Sequence, residues 1–278
     1  MRWLVFLTLI AGATVAILFT LFPALDLTIT AWFWDAAHKT FPIGATTWGK
    51  TLRQAGNIIP WVICAPAFAA LVLKLLFPGK PMFMPSRAAL LLALAMALGP
   101  GLLVNSVLKE HWGRPRPVHV EEFNGKLAFT PWYSTDGTCP GNCSFVSGEG
   151  ALGFWMVAPA SLVTGPLQPV ALGAAVLFGL AAGGLRIAFG GHFFTDTLFS
   201  GVLVILLIVA LRWWLFERRG APTDAQAEAA VARTGRALHR LVALGGRGIA
   251  HGARAAARAA ALVGRMIARY LPRRGAGL

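Results

Sequence analysis

Six long apolar stretches set what this chain can fold into: approximately Trp3–Leu21, Ile58–Phe77, Ala88–Leu108, Gly150–Thr164, Leu167–Phe189 and Thr197–Phe216. Crossing the hydrocarbon core of a bilayer takes roughly 20 mostly apolar residues as helix, and these stretches meet or approach that length. Charged residues make up 13% of the chain, against about a quarter in soluble domains, and mean hydropathy is +0.65. Gly99, Pro100 and Gly101 in the third stretch and Pro159 in the fourth are poor in a soluble helix. Bilayer helices tolerate such residues where neighbouring groups satisfy the freed backbone. The predicted fold is therefore all-α, a polytopic integral membrane protein with about six transmembrane helices.

The first stretch, with Arg2 ahead of it and Ala11-Gly12-Ala13 inside it, has elements of a cleaved signal. Its apolar run continues to Leu21, which suits a span better. Orientation follows from where Lys and Arg fall. Twelve arginines lie between Arg218 and Arg274, and Lys80 and Arg87 lie in the second connection, so these regions read as cytoplasmic. An even number of spans places both termini there, and the first, third and fifth connections outside. The aromatic segment Pro23–Asn57, with Trp32, Phe33, Trp34 and Trp48, reads as an outward interfacial stretch. The expected location is a bacterial inner (plasma) membrane.

The formal charge of +14 belongs mostly to residues 218–278, an Arg/Ala-rich cytoplasmic tail following a membrane domain of residues 1–217. Leu238, Leu241, Val242, Ile249, Leu262, Met266 and Ile267 between the arginines predict a basic amphipathic helix, interrupted near Gly245-Gly246, or a partly disordered tail. Anionic membrane lipids are its expected partner. No nucleic-acid recognition module accompanies the arginines, so nucleic acid is not expected. Nothing in the sequence sets an oligomeric state. Cys139 and Cys143 in the third connection read as a disulfide in an oxidising compartment, since CPGNC lacks further Cys or His to complete a zinc shell.

Three fragments carry chemistry: KEHWGRPRP from Lys109, CSFVSGE ending at Glu149, and LRIAFGGHFFTD ending at Asp196. Phosphoryl transfer needs cations and amide donors around three oxygens, a nucleophile and a proton donor for the leaving oxygen. His192 and Asp196, four apart at a helix start, share a face. Asp196 is expected to hold one imidazole nitrogen and leave the other to attack phosphorus. Arg186 ends an apolar run, where a guanidinium is expensive unless it meets an anion. Lys109, Arg114 and Arg116 collect at the outward end of the third span, and Ser147, Gly148 and Glu149 open the fourth run with free helix amides. Taken singly, each piece is also an ordinary headgroup anchor, interfacial histidine or helix cap.

Together, the fragments resemble the type 2 phosphatidic acid phosphatase superfamily, whose signature is Lys-x6-Arg-Pro, Pro-Ser-Gly-His and Ser-Arg-x5-His-x3-Asp. Lys109 to Arg116-Pro117 fits the first element, and Arg186, His192 and Asp196 fit the third. The resemblance implies a phosphohistidine at His192 oriented by Asp196, with phosphate bound by Lys109, Arg116, Arg186, Ser147 and Gly148, and no metal or other cofactor. Arg114 lies outside the motif. The sequence departs at Val146 for Pro, Leu185 for Ser, and Glu149 where the family histidine protonates the leaving group. A carboxylic acid does that work only where burial or nearby anions raise its pKa, and neighbouring Arg and Lys lower it. Glu149 thus reads as general acid, as selector of an easily departing group, or as a group that orients substrate.

The expected activity is hydrolysis of a lipid phosphate or polyprenyl diphosphate on the periplasmic face. Transfer to an acceptor lipid and a non-catalytic phosphate-binding scaffold remain open alternatives. The loop Val118–Cys143, with Phe123, Phe129, Trp132 and Tyr133, is expected to shape the substrate entrance.

Overall fold

A computed structural model describes the backbone of residues 1–270 and all side chains there except those of 245–256, 259–260 and 262–270. Among the described residues, five helices are long and apolar enough to cross a bilayer. They are α1 (Arg2–Leu21), α4 (Thr47–Leu76), α5 (Ser86–His111), α8 (Leu167–Ala188) and α9 (Phe194–Glu217). Two short helices, α2 (Ala24–Ala31) and α3 (Pro42–Ala45), lie between α1 and α4. The protein is an all-helical membrane protein.

The fourth apolar stretch is not among these five unbroken helices. It folds as two short helices, α6 (Gly148–Phe154) and α7 (Val157–Ser161), joined at Trp155-Met156. Pro159 has no N–H to offer the carbonyl four residues back, which is that of Trp155. That carbonyl instead accepts from Ala158 N–H at 2.8 Å, a tighter turn that breaks the helix. The broken pair is buried, with Trp155 fully enclosed and its Nε1 donating to the Leu92 carbonyl at 3.1 Å. It forms part of a core with Met96, Phe154, Val204 and Ile208, against which α8 and α9 pack.

Two features of the long helices position the site. Residues 97–108 of α5 wind as π-helix around Pro100. Asn105 Nδ2 and Ser106 Oγ donate to the Pro100 and Gly101 carbonyls at 2.8 and 3.3 Å, re-satisfying the loosened backbone before Lys109. Helix α4 begins at Thr47 rather than near Ile58 and runs 30 residues, roughly 45 Å, past a hydrocarbon core of about 30 Å. Its first turns, ahead of the apolar run from Ile58, carry Arg53. The segment expected to be interfacial is thus mostly helical; Trp32 and Trp48 are exposed, whereas Trp34 packs 5.0 Å from Phe41.

The residues group into two compact units, 1–71 with 82–228, and 72–81 with the chain from Ala229 on. Within the second, the C-terminal helix α10 (Asp224–Tyr270) places Gly235 against the Leu75 carbonyl, where a Cβ would approach to 2.6 Å. Helix α10 continues through Gly245-Gly246, contrary to the expected interruption, since interior glycine costs only about 1 kcal/mol relative to alanine. Leu238, Leu241 and Val242 are exposed on it. The side chains of Arg247, Ile249, Arg254, Leu262, Arg265, Met266, Ile267 and Arg269, together with Arg273 and Arg274, lie outside the described residues.

Candidate active site

The nucleophile candidate sits in the sharp link between α8 and α9. Gly190 turns the chain at φ +63°, a region open to glycine, and a Cβ on Gly191 would meet Arg186 Nη2 at 2.3 Å. The backbone therefore passes directly over the Arg186 guanidinium and delivers His192 beside it. His192 lies two residues ahead of α9, in the link rather than on the helix face expected from the His–Asp spacing.

Its orientation comes from a different partner. His192 Nδ1 lies 2.7 Å from the Ser144 carbonyl oxygen, whereas Asp196 Oδ2 is 3.7 Å away, too far for a hydrogen bond. Nδ1 therefore carries the proton and Nε2 holds the lone pair. Asp196 acts one step removed: Ser144 Oγ donates to its Oδ2, and so does Phe193 N–H at 2.8 Å. Burial pushes the His192 imidazole down to about 4, against the opposing pull of Asp196, so the ring is neutral near pH 7.

Asp196 is held in turn by Arg114, which the sequence left without a role. Arg114 is fully buried, donating to Asp196 Oδ1, to Asp26 Oδ2 at 2.7 Å, to Thr195 Oγ1 at 2.7 Å and to the Thr130 carbonyl at 2.9 Å. Asp26, from α2, also accepts from Thr195 N and Oγ1. Burial raises the Asp26 carboxyl above its ordinary value, opposed by the Arg114 charge. Ser144, Arg114 and Asp26 are support residues that motif spacing does not reveal. An aspartate inside an apolar run was the one available signal for Asp26.

The cradle residues converge from separate elements. A Cβ on Gly148 would lie 3.2 Å from Lys109 Nζ, so the start of α6 abuts that ammonium. Asn142 gathers two cations: its Oδ1 accepts from Lys109 Nζ at 3.3 Å and Arg116 Nη2 at 2.7 Å, and its carbonyl accepts from Arg116 Nε and Nη2. The Cys139–Cys143 disulfide closes the loop holding Asn142, and Cys143 N–H donates to the Lys109 carbonyl at 2.9 Å. Ser147 is fully buried, and its Oγ caps α6 by accepting from Gly150 N–H at 3.1 Å. Arg186 Nε is buried without a hydrogen-bond partner, 3.3 Å from Glu149 Oε1 but misaligned. A buried guanidinium with an unspent donor is suited to an incoming anion.

Glu149 is committed to a residue that was not anticipated. Arg53 donates from Nε to Oε1 and Oε2 at 2.9 and 3.0 Å, and from Nη2 to Oε1 at 2.6 Å. Burial works to raise the Glu149 carboxyl, but the Arg53 hydrogen bonds and the charges of Arg186 and Arg53 outweigh it and hold it below the usual value. In this arrangement Glu149 is an ionised carboxylate spanning two arginines. Of the four expected entrance rings, Phe123 is buried, Phe129 packs edge-on against Phe193 and Trp132 stacks on Phe199 at 4.4 Å, leaving Tyr133 as the exposed one. Among the described residues, no group of three His, Cys, Asp or Glu side chains could hold a metal ion.

The model of the PAP2 superfamily matches residues 88–220, the stretch that holds all three fragments. A lipid A 4'-phosphatase of Francisella tularensis subsp. novicida (strain U112) is 37% identical over 191 residues, covering 68% of this chain and 86% of that relative. The chain belongs to the PAP2 superfamily. Lipid A 4'-phosphatases of Rhizobium etli and Rhizobium leguminosarum are 38% and 37% identical over 117 and 116 residues, about half of their lengths. No solved structure matches. As a PAP2 member with these relatives, the protein is a membrane lipid phosphatase, a phosphomonoester hydrolase.

Proposed function

We propose that the protein removes a phosphate monoester from a lipid A-type saccharolipid at the periplasmic face, through a phosphohistidine on His192. The observation that carries this reading is the His192 environment: Nδ1 fixed on the Ser144 carbonyl, Nε2 left to react, and the Arg186 guanidinium packed against the adjoining Gly191. The arriving phosphate is held by Lys109, Arg116, Arg186 and the amide of Gly148, with Ser147 setting the start of α6. The dianion draws Arg53 from Glu149, and its charge raises the Glu149 carboxyl so that it takes a proton from solvent. His192 Nε2 then bonds to phosphorus as the bond from phosphorus to the sugar oxygen breaks, and Glu149 protonates that oxygen. In the second half, Glu149 takes a proton from water, the resulting oxygen attacks phosphorus, and the phosphorus–nitrogen bond breaks to give phosphate and neutral His192.

The substrate class comes from the named relatives. The periplasmic assignment is supported by the disulfide beside the site, a feature of oxidising compartments, and by the arginines of residues 218–278, which the charge rule assigns to the cytoplasm. Helix α10 is assigned to the anionic cytoplasmic leaflet. The test is phosphate release from lipid A, phosphatidic acid and a polyprenyl diphosphate by purified protein in EDTA and heavy-oxygen water. The reading expects release from lipid A, heavy oxygen in the phosphate, and loss of activity in His192→Ala. Release that persists in His192→Ala contradicts it, and label passing to a second lipid makes the enzyme a transferase.

A further inference from the structure

A second cleft, of about 540 Å³, lies beside the phosphate cradle, with Trp34, Lys39, Thr40, Asn124 and Phe189 among its walls. Phe189 joins it to the site: its ring centroid is 5.8 Å from the Arg186 guanidinium carbon and 5.9 Å from that of Arg53, and His192 follows three residues later. The Gly190 carbonyl accepts from Val118 N–H at 3.0 Å, so the link bearing His192 also braces this cleft.

The walls are rigid and chemically mixed. Trp34 is held at 5.0 Å by Phe41 and 5.6 Å by Phe123, two buried rings. Lys39 and Asn124 occupy left-handed backbone conformations at φ +51° and +61°, each at the tip of a turn closed by backbone hydrogen bonds. Asp35 and Thr40 exchange both backbone bonds across the first turn, and Asn124 N–H and Gly125 N–H close the second on Glu121 and Val120. Such conformations persist where the surroundings over-determine them.

These walls discriminate between ligands. An acyl chain would strip water from Lys39, Thr40 and Asn124 without replacing their hydrogen bonds. A bare phosphate would find one cation, Lys39. A pyranose ring offers an apolar face to indole and phenyl rings and hydroxyls to an amide, a hydroxyl and an ammonium, and the volume lies within the range of small-molecule sites. We propose that this cleft is a saccharide subsite, which seats a sugar ring of the substrate while the attached phosphate lies at His192. It selects phosphorylated saccharolipids over glycerol phospholipids, and it rests on the reading that His192 attacks a lipid phosphate.

Three variants test it: Trp34→Leu, and Lys39→Gly and Asn124→Gly, which keep the left-handed turns while removing the polar groups. Kinetics are read on lipid A and on phosphatidic acid, and binding of di-N-acetylglucosamine to wild type and variants is read by calorimetry. The expected result is a KM for lipid A raised about tenfold, equivalent to about 1.4 kcal/mol, with kcat within twofold and phosphatidic acid kinetics unchanged. Disaccharide binding to wild type, weakened in Asn124→Gly, is expected alongside. Equal losses on both lipids, or no loss on either, overturn the subsite. Hydrolysis of phosphatidic acid but not lipid A also overturns it and leaves the phosphatase reading standing. Release from neither lipid sinks the His192 reading itself, and disaccharide binding then decides the cleft alone.

Discussion

Replacing Arg53 by Met tests the most unusual contact of the site, the three-bond pair with Glu149. The bonds are 2.6 to 3.0 Å long and charge-assisted, but the two side chains retain 43% and 22% of their exposure. Solvent screening holds such a half-exposed pair to about 0.5–1 kcal/mol. Removing the partner takes away the hydrogen bonds and charge that hold the carboxyl down, so the Glu149 carboxyl should rise. The sign is fixed by the balance at this group: burial already favours the neutral acid, and Arg53 is the largest opposing influence. The assay is an infrared titration of the protonated-carboxyl band, assigned by difference against Glu149→Gln. The midpoint in Arg53→Met should lie above that of wild type. An unmoved midpoint refutes the electrostatic argument. A basic break in the pH profile of kcat that survives unchanged in Glu149→Gln refutes Glu149 as the acid.

Arg114→Met leaves Asp26 and Asp196 as buried carboxylates without their cation and should destabilise the protein by about 3–5 kcal/mol, read as a lowered unfolding temperature in detergent. Asn142→Ala removes the shared acceptor of Lys109 and Arg116 and should weaken vanadate inhibition several-fold, with reduction of the Cys139–Cys143 bond acting in the same direction. His192 is held near 4 rather than its ordinary 6.5, so kcat/KM should stay free of a histidine limb through pH 6 and fall as pH drops through about 4, where the imidazolium forms. A limb near 6.5, absent in controls on substrate ionisation, contradicts that burial-driven shift.

The long spans were legible because hydropathy over about 20 residues responds to the bilayer itself, whatever the helices pack against. The fourth stretch was legible as apolar but not as broken: its side chains are buried in protein, and Pro159 interrupts the helix. At the site, the Lys109–Arg116 and Arg186–His192–Asp196 spacings named residues that the fold brings to one place. The supporting partners were hidden by distance along the chain. Arg53 meets Glu149 across 96 positions, and Asp26 meets Arg114 across 88. Ser144 acts through its main-chain carbonyl, which no residue pattern encodes. The four-residue His–Asp spacing suggested a direct hydrogen bond because it assumed helix, whereas Gly190-Gly191 and an extended Phe193 place His192 ahead of α9.

The most direct test of the account is to quench purified protein during turnover of phosphorus-labelled lipid A and map the acid-labile label. The account predicts a phosphohistidine at His192, absent in His192→Ala and accumulating in Glu149→Gln if the water-activating half is slowed. Label on another residue, or undiminished phosphate release from His192→Ala without any covalent intermediate, contradicts it.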